Sequence, residues 1–190
     1  MASAPAAPLL LASTSPRRRE ILEQLRIPFD VVAPQYEETE EDPVAHAVGK
    51  ARSALAAADG RPVLGCDTEV LCGGRVYGKP AGPEDAEEML ESLAGRTHEV
   101  VSGLALITPA WEEVQREVTS VTFRELTPRD IAGYVASGEW EGRAGGYAIQ
   151  GRGAALVERI EGDYLNVVGL PAALLVRILA ERFPGTYGFG

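Results

Sequence analysis

Apolar residues along this chain recur at two spacings, and the switches between them mark out its elements. Leu9 to Ala12 is a short unbroken apolar run, the pattern of a buried strand. Ser15 and Pro16 follow, in the order that opens a helix, and Ile21, Leu22 and Leu25 then fall on one helical face. The same kind of start recurs at Asp42-Pro43, ahead of Val44, Ala47, Val48, Ala51 and Leu55. It recurs again at Thr127-Pro128, ahead of Ile131, Tyr134 and Val135, with Gly138 as the stop. Between these, Pro62 to Cys66 and Val70 to Tyr77 read as strands with Gly73-Gly74 as a hairpin turn, and Ala86, Met89, Leu90 and Leu93 mark another helix. Extended stretches are expected over Glu99 to Thr108 and Val114 to Glu125, then a strand over Ala154 to Ile160. A last helix runs from about Pro171 to Phe183, apolar at Leu174, Leu175, Ile178 and Leu179. Helices mixed with adjacent hairpins and one βα unit predict an α/β fold with a mixed sheet.

Composition narrows this picture. A chain of 190 residues that is 45% hydrophobic fits one domain, since domains usually hold roughly 100 to 200 residues. Residues 1–8 and 184–190, small and rich in Pro or Gly, are set aside as frayed ends. The net charge of -10 argues against a nucleic-acid-binding surface, which would need phosphates neutralised by Lys and Arg. Cys66 and Cys72 match neither a zinc nor a CxxC spacing, so they read as reduced thiols of a cytoplasmic protein. With no apolar run near the ~20 residues that span a bilayer and no secretory leader pattern, no membrane association is expected.

Candidate chemistry lies in four places. Arg17, Arg18 and Arg19 fall in the first turn of the first helix, where its positive end disfavours cations by about 0.3 to 1 kcal/mol each. A bound anion would reverse that sign, with backbone N–H groups, Ser13, Ser15 and a guanidinium all donating to phosphate oxygens. The chain has no GxxxxGK[ST] loop. In VLGCDTEV, residues 63–70, an apolar run delivers Asp67 and Thr68 to the expected end of a strand. There Asp67 could hold a divalent cation or take a proton from water, and Thr68 could donate to a substrate. The run Glu37-Glu38-Thr39-Glu40-Glu41-Asp42 reads as a solvated loop in which one or two members could meet Asp67 on Mg²⁺. Lys50 and Lys79 are further phosphate-contact candidates. The glycine-rich RAGGYAIQGRGAAL, residues 143–156, lacks the dinucleotide pattern and carries Tyr147 and Gln150, whose amide could read a base. His46 and His98 stand alone in sequence and are read as structural.

The ordered blocks STSPRRREIL, EE, GKA, LGCDT, GKP, GRTHEV, FRELT, IAGYVASGE, AGGYAIQG and NVVGLP, spanning Leu9 to Leu179, resemble the Maf-like proteins. These are nucleotide pyrophosphatases related in fold to the inosine triphosphate pyrophosphatases. The resemblance implies a two-lobed α/β structure with a long mixed sheet flanked by helices and a cleft between the lobes. It also implies hydrolysis of a nucleoside triphosphate to the monophosphate and pyrophosphate with Mg²⁺, Mn²⁺ or Co²⁺. On this resemblance Asp67 is the proton acceptor, and Arg17, Thr68 and Gln150 are the specificity positions in the combination of the dTTP/UTP branch. The branch acting on 7-methyl-GTP carries Trp, Gln and Glu there. Ser13, Lys50 and Lys79 fall on phosphate contacts, and Glu38 joins Asp67 at the metal.

Two departures stand out. Glu69 follows the Asp-Thr pair where an apolar residue is more familiar, and alternation leads one to expect it exposed and not ligating. Arg143 replaces the family's Lys. A non-catalytic nucleotide-binding regulator of cell division is the alternative from another class, since family members have been linked to septum formation. A homodimer is compatible with the chain.

Overall fold

The computed structural model describes residues 7–37 and 42–190. In chain order the strands are β1 (Leu9–Ala12), β2 (Phe29–Val32), β3 (Val63–Cys72), β4 (Arg75–Tyr77), β5 (Thr97–Ile107), β6 (Glu112–Phe123) and β7 (Val157–Glu161). The helices are α1 (Pro16–Gln24), α2 (Pro43–Ser53), α3 (Pro83–Leu93), α4 (Pro128–Val135), α5 (Tyr164–Val168) and α6 (Ala172–Arg182). The seven strands make one mixed sheet in the order β2-β1-β3-β5-β6-β7, with β4 paired to β3. β1 runs parallel to both β2 and β3, while β4 and β7 are antiparallel to β3 and β6. This is the α/β class with a mixed sheet that the periodicity predicts.

Local chemistry accounts for the helix starts. Asp42 accepts the Val44 N–H from the N-cap of α2, and Pro43 occupies the first turn, where it forfeits no intrahelical bond. Thr127 and Asp130 make a reciprocal capping box on α4. α1 has the same Ser-Pro start, yet Ser15 makes no side-chain cap bond. Its N–H is taken instead by Ser13 Oγ, at 3.2 Å.

Two expectations need correction, and one strand does not show in the apolar pattern. Asp67 and Thr68 do not end a strand: β3 runs unbroken for 10 residues through them. β1 pairs with β3 at Val63 and Leu64 and β4 pairs with it from Val70 to Cys72, so the stretch 65–69 pairs with neither. The strand expected from Ala154 starts only at Val157, because Gly151–Leu156 form a 3₁₀ turn. Gly151 has a left-handed φ of 62°, and a Cβ on Gly153 would stand 1.8 Å from the Ala148 carbonyl oxygen. Finally, β2 escapes a reading of apolar pattern because FDVV is short and half exposed; it forms by pairing along all four residues of β1.

The chain divides into two compact units, residues up to 67 with 102–117 and 169–190, and residues 68–101 with 118–168. In the first, Leu10, Ala12, Val63, Ala105 and Ile107 of the sheet pack against Ala47, Ala51, Ala54 and Ala58. Ala47 and Ala51 bring α2 against the strands, and two glycines bring it closer still. A Cβ on Gly65 of β3 would stand 2.1 Å from the Ala47 carbonyl oxygen, and one on Gly103 of β5 would stand 2.1 Å from that of Pro43. Helix backbone therefore lies directly on both strands. Near the chain's end Tyr187 is buried, its hydroxyl donating to the Ala7 carbonyl.

In the second unit His98, Phe123 and Tyr147 form an edge-to-face cluster, with His98 and Phe123 centroids 4.9 Å apart and Phe123 and Tyr147 4.7 Å apart. His98 Nε2 bonds the Tyr147 hydroxyl at 2.8 Å. Burial pushes the His98 pKa down to about 4, so this imidazole is neutral and packs as part of the core. The buried Asn166 amide donates to the Val100 carbonyl and to Thr119 Oγ1, tying α5 to β5 and β6. Cys66 and Cys72 are buried free thiols. Among the described residues no helix is long and apolar enough to cross a membrane.

Candidate active site

A largely buried polar cluster of the first unit is built on β3 and α2. Gly65 and Asp67 are two apart on a strand, so both face α2; the first has no side chain and the second reaches the helix. His46 and Lys50 are four apart on α2 and project from one face of it. Lys50 Nζ meets Asp67 Oδ1 at 2.5 Å, and His46 Nδ1 lies 3.1 Å from Asp67 Oδ2. An ionised carboxylate only accepts, so Nδ1 carries the proton of that bond. Both oxygens of Asp67 are thus held by one turn of one helix.

The electrostatics follow from these contacts. Burial alone would raise the Asp67 pKa; the hydrogen bond and charge of Lys50, the charge of Arg18 and the bond from His46 outweigh it, leaving the carboxyl below its usual range. Asp67 is therefore ionised at neutral pH. His46, read as structural from its isolation in sequence, is a member of this site. The signal that could have found it is its spacing: it sits one helical turn before Lys50, on the helix that opens at Asp42-Pro43.

The arginines of α1 take three different settings. Arg18 is buried, with Nε donating to the Gly169 carbonyl at 2.8 Å and Nη1 to Ser13 Oγ at 3.1 Å. Its guanidinium fixes the loop between β1 and α1, and Ser13, buried beneath it, bonds the Ser15 N–H as well. Arg17 is half-buried and Arg19 exposed. Ser15, the N-cap of α1, makes no side-chain cap bond to its first turn.

The remaining candidates lie in the second unit, apart from Glu38, which falls outside the described residues. Thr68 is half-buried on β3, on the face opposite to Asp67. Lys79 is exposed just past β4, where the Gly78 carbonyl accepts the Gly145 N–H and ties this loop to the RAGG segment. Gln150 is exposed at the start of the 3₁₀ turn Gly151–Leu156. Arg143, the departure from the family's Lys, is half-buried; its Nε donates to the Glu139 carbonyl, at 3.4 Å.

The donor set bears on the metal. Glu69, expected to be exposed, is half-buried. A ligand atom from each of His46, Asp67 and Glu69 lies within 4.8 Å of the others. Two carboxylates with one imidazole suit a divalent cation of the Mg²⁺, Mn²⁺ or Co²⁺ type.

A carboxylate kept ionised on β3, a lysine and an imidazole from one helix and a buried arginine thus come together on an α/β fold with a mixed sheet. Residues 8–182 match the family of Maf-like proteins, and the chain belongs to that family. A dTTP/UTP pyrophosphatase of Gloeobacter violaceus is 48% identical to it over 180 residues, 91% of this chain and 95% of that one. One of Moorella thermoacetica is 49% identical over 90% of this chain and 93% of its own. One of Deinococcus radiodurans is 44% identical over 96% and 95%.

Proposed function

We propose that this chain is a nucleoside triphosphate pyrophosphatase that hydrolyses dTTP and UTP to the monophosphate and pyrophosphate by attack of water at the α-phosphorus. The observation that carries the reading is Asp67: a half-buried carboxylate kept ionised by Lys50, in a chain 48% identical over most of its length to a protein of that activity.

In this reading the phosphates meet the Ser13–Arg19 segment, Lys50 and Lys79, while Thr68 and Gln150 read the base and Arg17 completes the specificity set. Arg18 does not contact substrate. It holds the loop and adds positive potential, as its effect on the Asp67 carboxyl indicates. Asp67 and Glu38 hold the divalent cation, with His46 and Glu69 as neighbouring donors. When bound, Mg²⁺, Mn²⁺ or Co²⁺ supplies positive charge against the phosphoryl oxygens and acidifies water.

Lys50 has two roles in turn. While its ammonium sits on Asp67 Oδ1 the carboxylate is a weak proton acceptor. When Lys50 turns to a phosphate oxygen, Asp67 gains basicity and can take the proton of the attacking water. The departing pyrophosphate is then neutralised by Lys50, Lys79 and the α1 N-terminus.

The base reading has its own test. Hydrogen-bonding readers penalise ligands that leave their buried polar groups unpaired, so kcat/KM for dTTP and UTP should exceed that for 7-methyl-GTP by roughly 100-fold or more. A panel assayed by pyrophosphate release that ranks 7-methyl-GTP above both pyrimidines would overturn this specificity.

A further inference from the structure

The segment that carries Gln150 is held by a residue that no role so far explains. Glu139 lies four residues beyond the end of α4, and its carboxylate accepts three bonds from the loop after Gln150. The Arg152 N–H lies 3.1 Å from Oε1 and 2.9 Å from Oε2, and the Gly153 N–H lies 3.2 Å from Oε2. These are N–H groups at the start of the 3₁₀ turn Gly151–Leu156, where no side chain of the turn's own N-cap serves them. Glu139 does so from 13 residues away.

The fit is close. Gly151 has φ of 62°, and a Cβ there would stand 2.7 Å from Glu139 Oε1, so the loop backbone is pressed against the carboxylate. Upstream of Gln150, the Ala148 N–H donates to the Tyr134 hydroxyl at 2.9 Å. Gly153 folds back so far that a Cβ would strike the Ala148 carbonyl oxygen. The loop from Ala148 to Gly153 is thus pinned on one side by Tyr134 and on the other by Glu139, with Gln150 exposed at its tip.

We propose that Glu139 is the positioning residue for base recognition: it touches no substrate, and it fixes the backbone from which Gln150 presents its amide. This rests on the reading of Gln150 as a base reader. The class of ligand follows from the amide, which offers one acceptor and one donor side by side and so matches the adjacent N–H and carbonyl of a uracil or thymine edge. Such a match needs the amide plane held within a fraction of an ångström. A loop with two unserved N–H groups beside Gln150 would not hold it.

The test compares Glu139→Ala, Glu139→Gln and Gln150→Ala on dTTP and on 2-deoxyribose 5-triphosphate, which has the phosphates and sugar but no base. The readout is the ratio of kcat/KM for the two substrates. Glu139→Ala and Gln150→Ala should each lower that ratio about tenfold, chiefly through KM for dTTP. Glu139→Gln, which keeps one acceptor oxygen, should fall between wild type and Glu139→Ala, and it carries the test if the alanine variant does not fold. A wild-type ratio in both Glu139 variants, with a lowered ratio in Gln150→Ala, overturns the proposal and leaves Gln150 as the reader. A wild-type ratio in Gln150→Ala removes the base-reading role and this proposal with it. Equal losses on both substrates in the Glu139 variants would mean a general structural role and also overturn it.

Discussion

An Asp67→Asn protein is expected to fold and to lose triphosphate turnover by roughly 10²- to 10⁴-fold, the range contributed by a positioned proton acceptor. Two features keep the fold intact. Asparagine has the same shape, and its amide oxygen still accepts from Lys50. Removing one partner of a fully buried ion pair costs about 3–5 kcal/mol, but here the Asp67 and Lys50 side chains retain 15% and 11% of their exposure. With an acceptor also preserved, the expected loss is about 1–3 kcal/mol. Nucleotide binding without metal should hold or tighten, because a negative charge facing the phosphates has been removed, whereas binding of the divalent cation should weaken. Thermal unfolding together with turnover and nucleotide titration checks all three; a folded variant that turns over dTTP near the wild-type rate contradicts the role given to Asp67.

The second large effect is expected at Gly65, which carries no side chain and stands two residues before Asp67 on β3. A methyl group there would lie 2.1 Å from the Ala47 carbonyl oxygen and 2.9 Å from both the Ala51 nitrogen and its Cβ. Helix backbone, not a flexible side chain, has to yield. Overpacking of this kind costs about 1–3 kcal/mol, yet the functional consequence should be larger. Helix α2 carries both His46 and Lys50, so lifting it from β3 withdraws both from Asp67, and a misplacement near 1 Å can cost on the order of 10²-fold. Gly65→Ala should therefore lower the melting temperature and reduce kcat well beyond what the folded fraction explains. Gly133 provides the control, being exposed in α4 with open space where a Cβ would stand. Gly133→Ala should keep full activity and gain about 0.5–1 kcal/mol from helix propensity. Full activity in Gly65→Ala would mean that α2 does not set the site geometry.

Much of this architecture is legible in the chain because its punctuation is strong. A hydroxyl or carboxyl residue followed by proline announces α1, α2 and α4, and the apolar stripes on α3 and α6 are clear. What is not legible depends on neighbours. Asp67, Thr68 and Glu69 look like the end of a strand, since three polar residues break the apolar run; β3 continues because its backbone does not depend on what those side chains contact. Ala-Ala-Leu-Val reads as extended, but the turn through Leu156 is dictated by Gly151, Gly153 and a distant Glu139.

The site divides in the same way. Asp67 and Lys50 declare themselves as ionisable residues next to patterned elements, and the structure pairs them. His46 does not, because its one-turn spacing from Lys50 gains meaning only once α2 is placed against β3. Of the three arginines at the start of α1, sequence sees one repeated charge where the structure shows three settings. Arg18 is a buried tie to Ser13 and Gly169, Arg17 is half-buried, and Arg19 is exposed. The unfavourable charge at this helix end is therefore met in part within the fold, through acceptors supplied to Arg18.

The proposed activity rests on attack of water at the α-phosphorus. The most direct measurement is hydrolysis of dTTP in ¹⁸O-enriched water with Mg²⁺ or Mn²⁺, followed by mass analysis of the products. One ¹⁸O atom is expected in the thymidine monophosphate and none in the released pyrophosphate. Label in the pyrophosphate, or labelled orthophosphate formed with the nucleoside diphosphate, would contradict it.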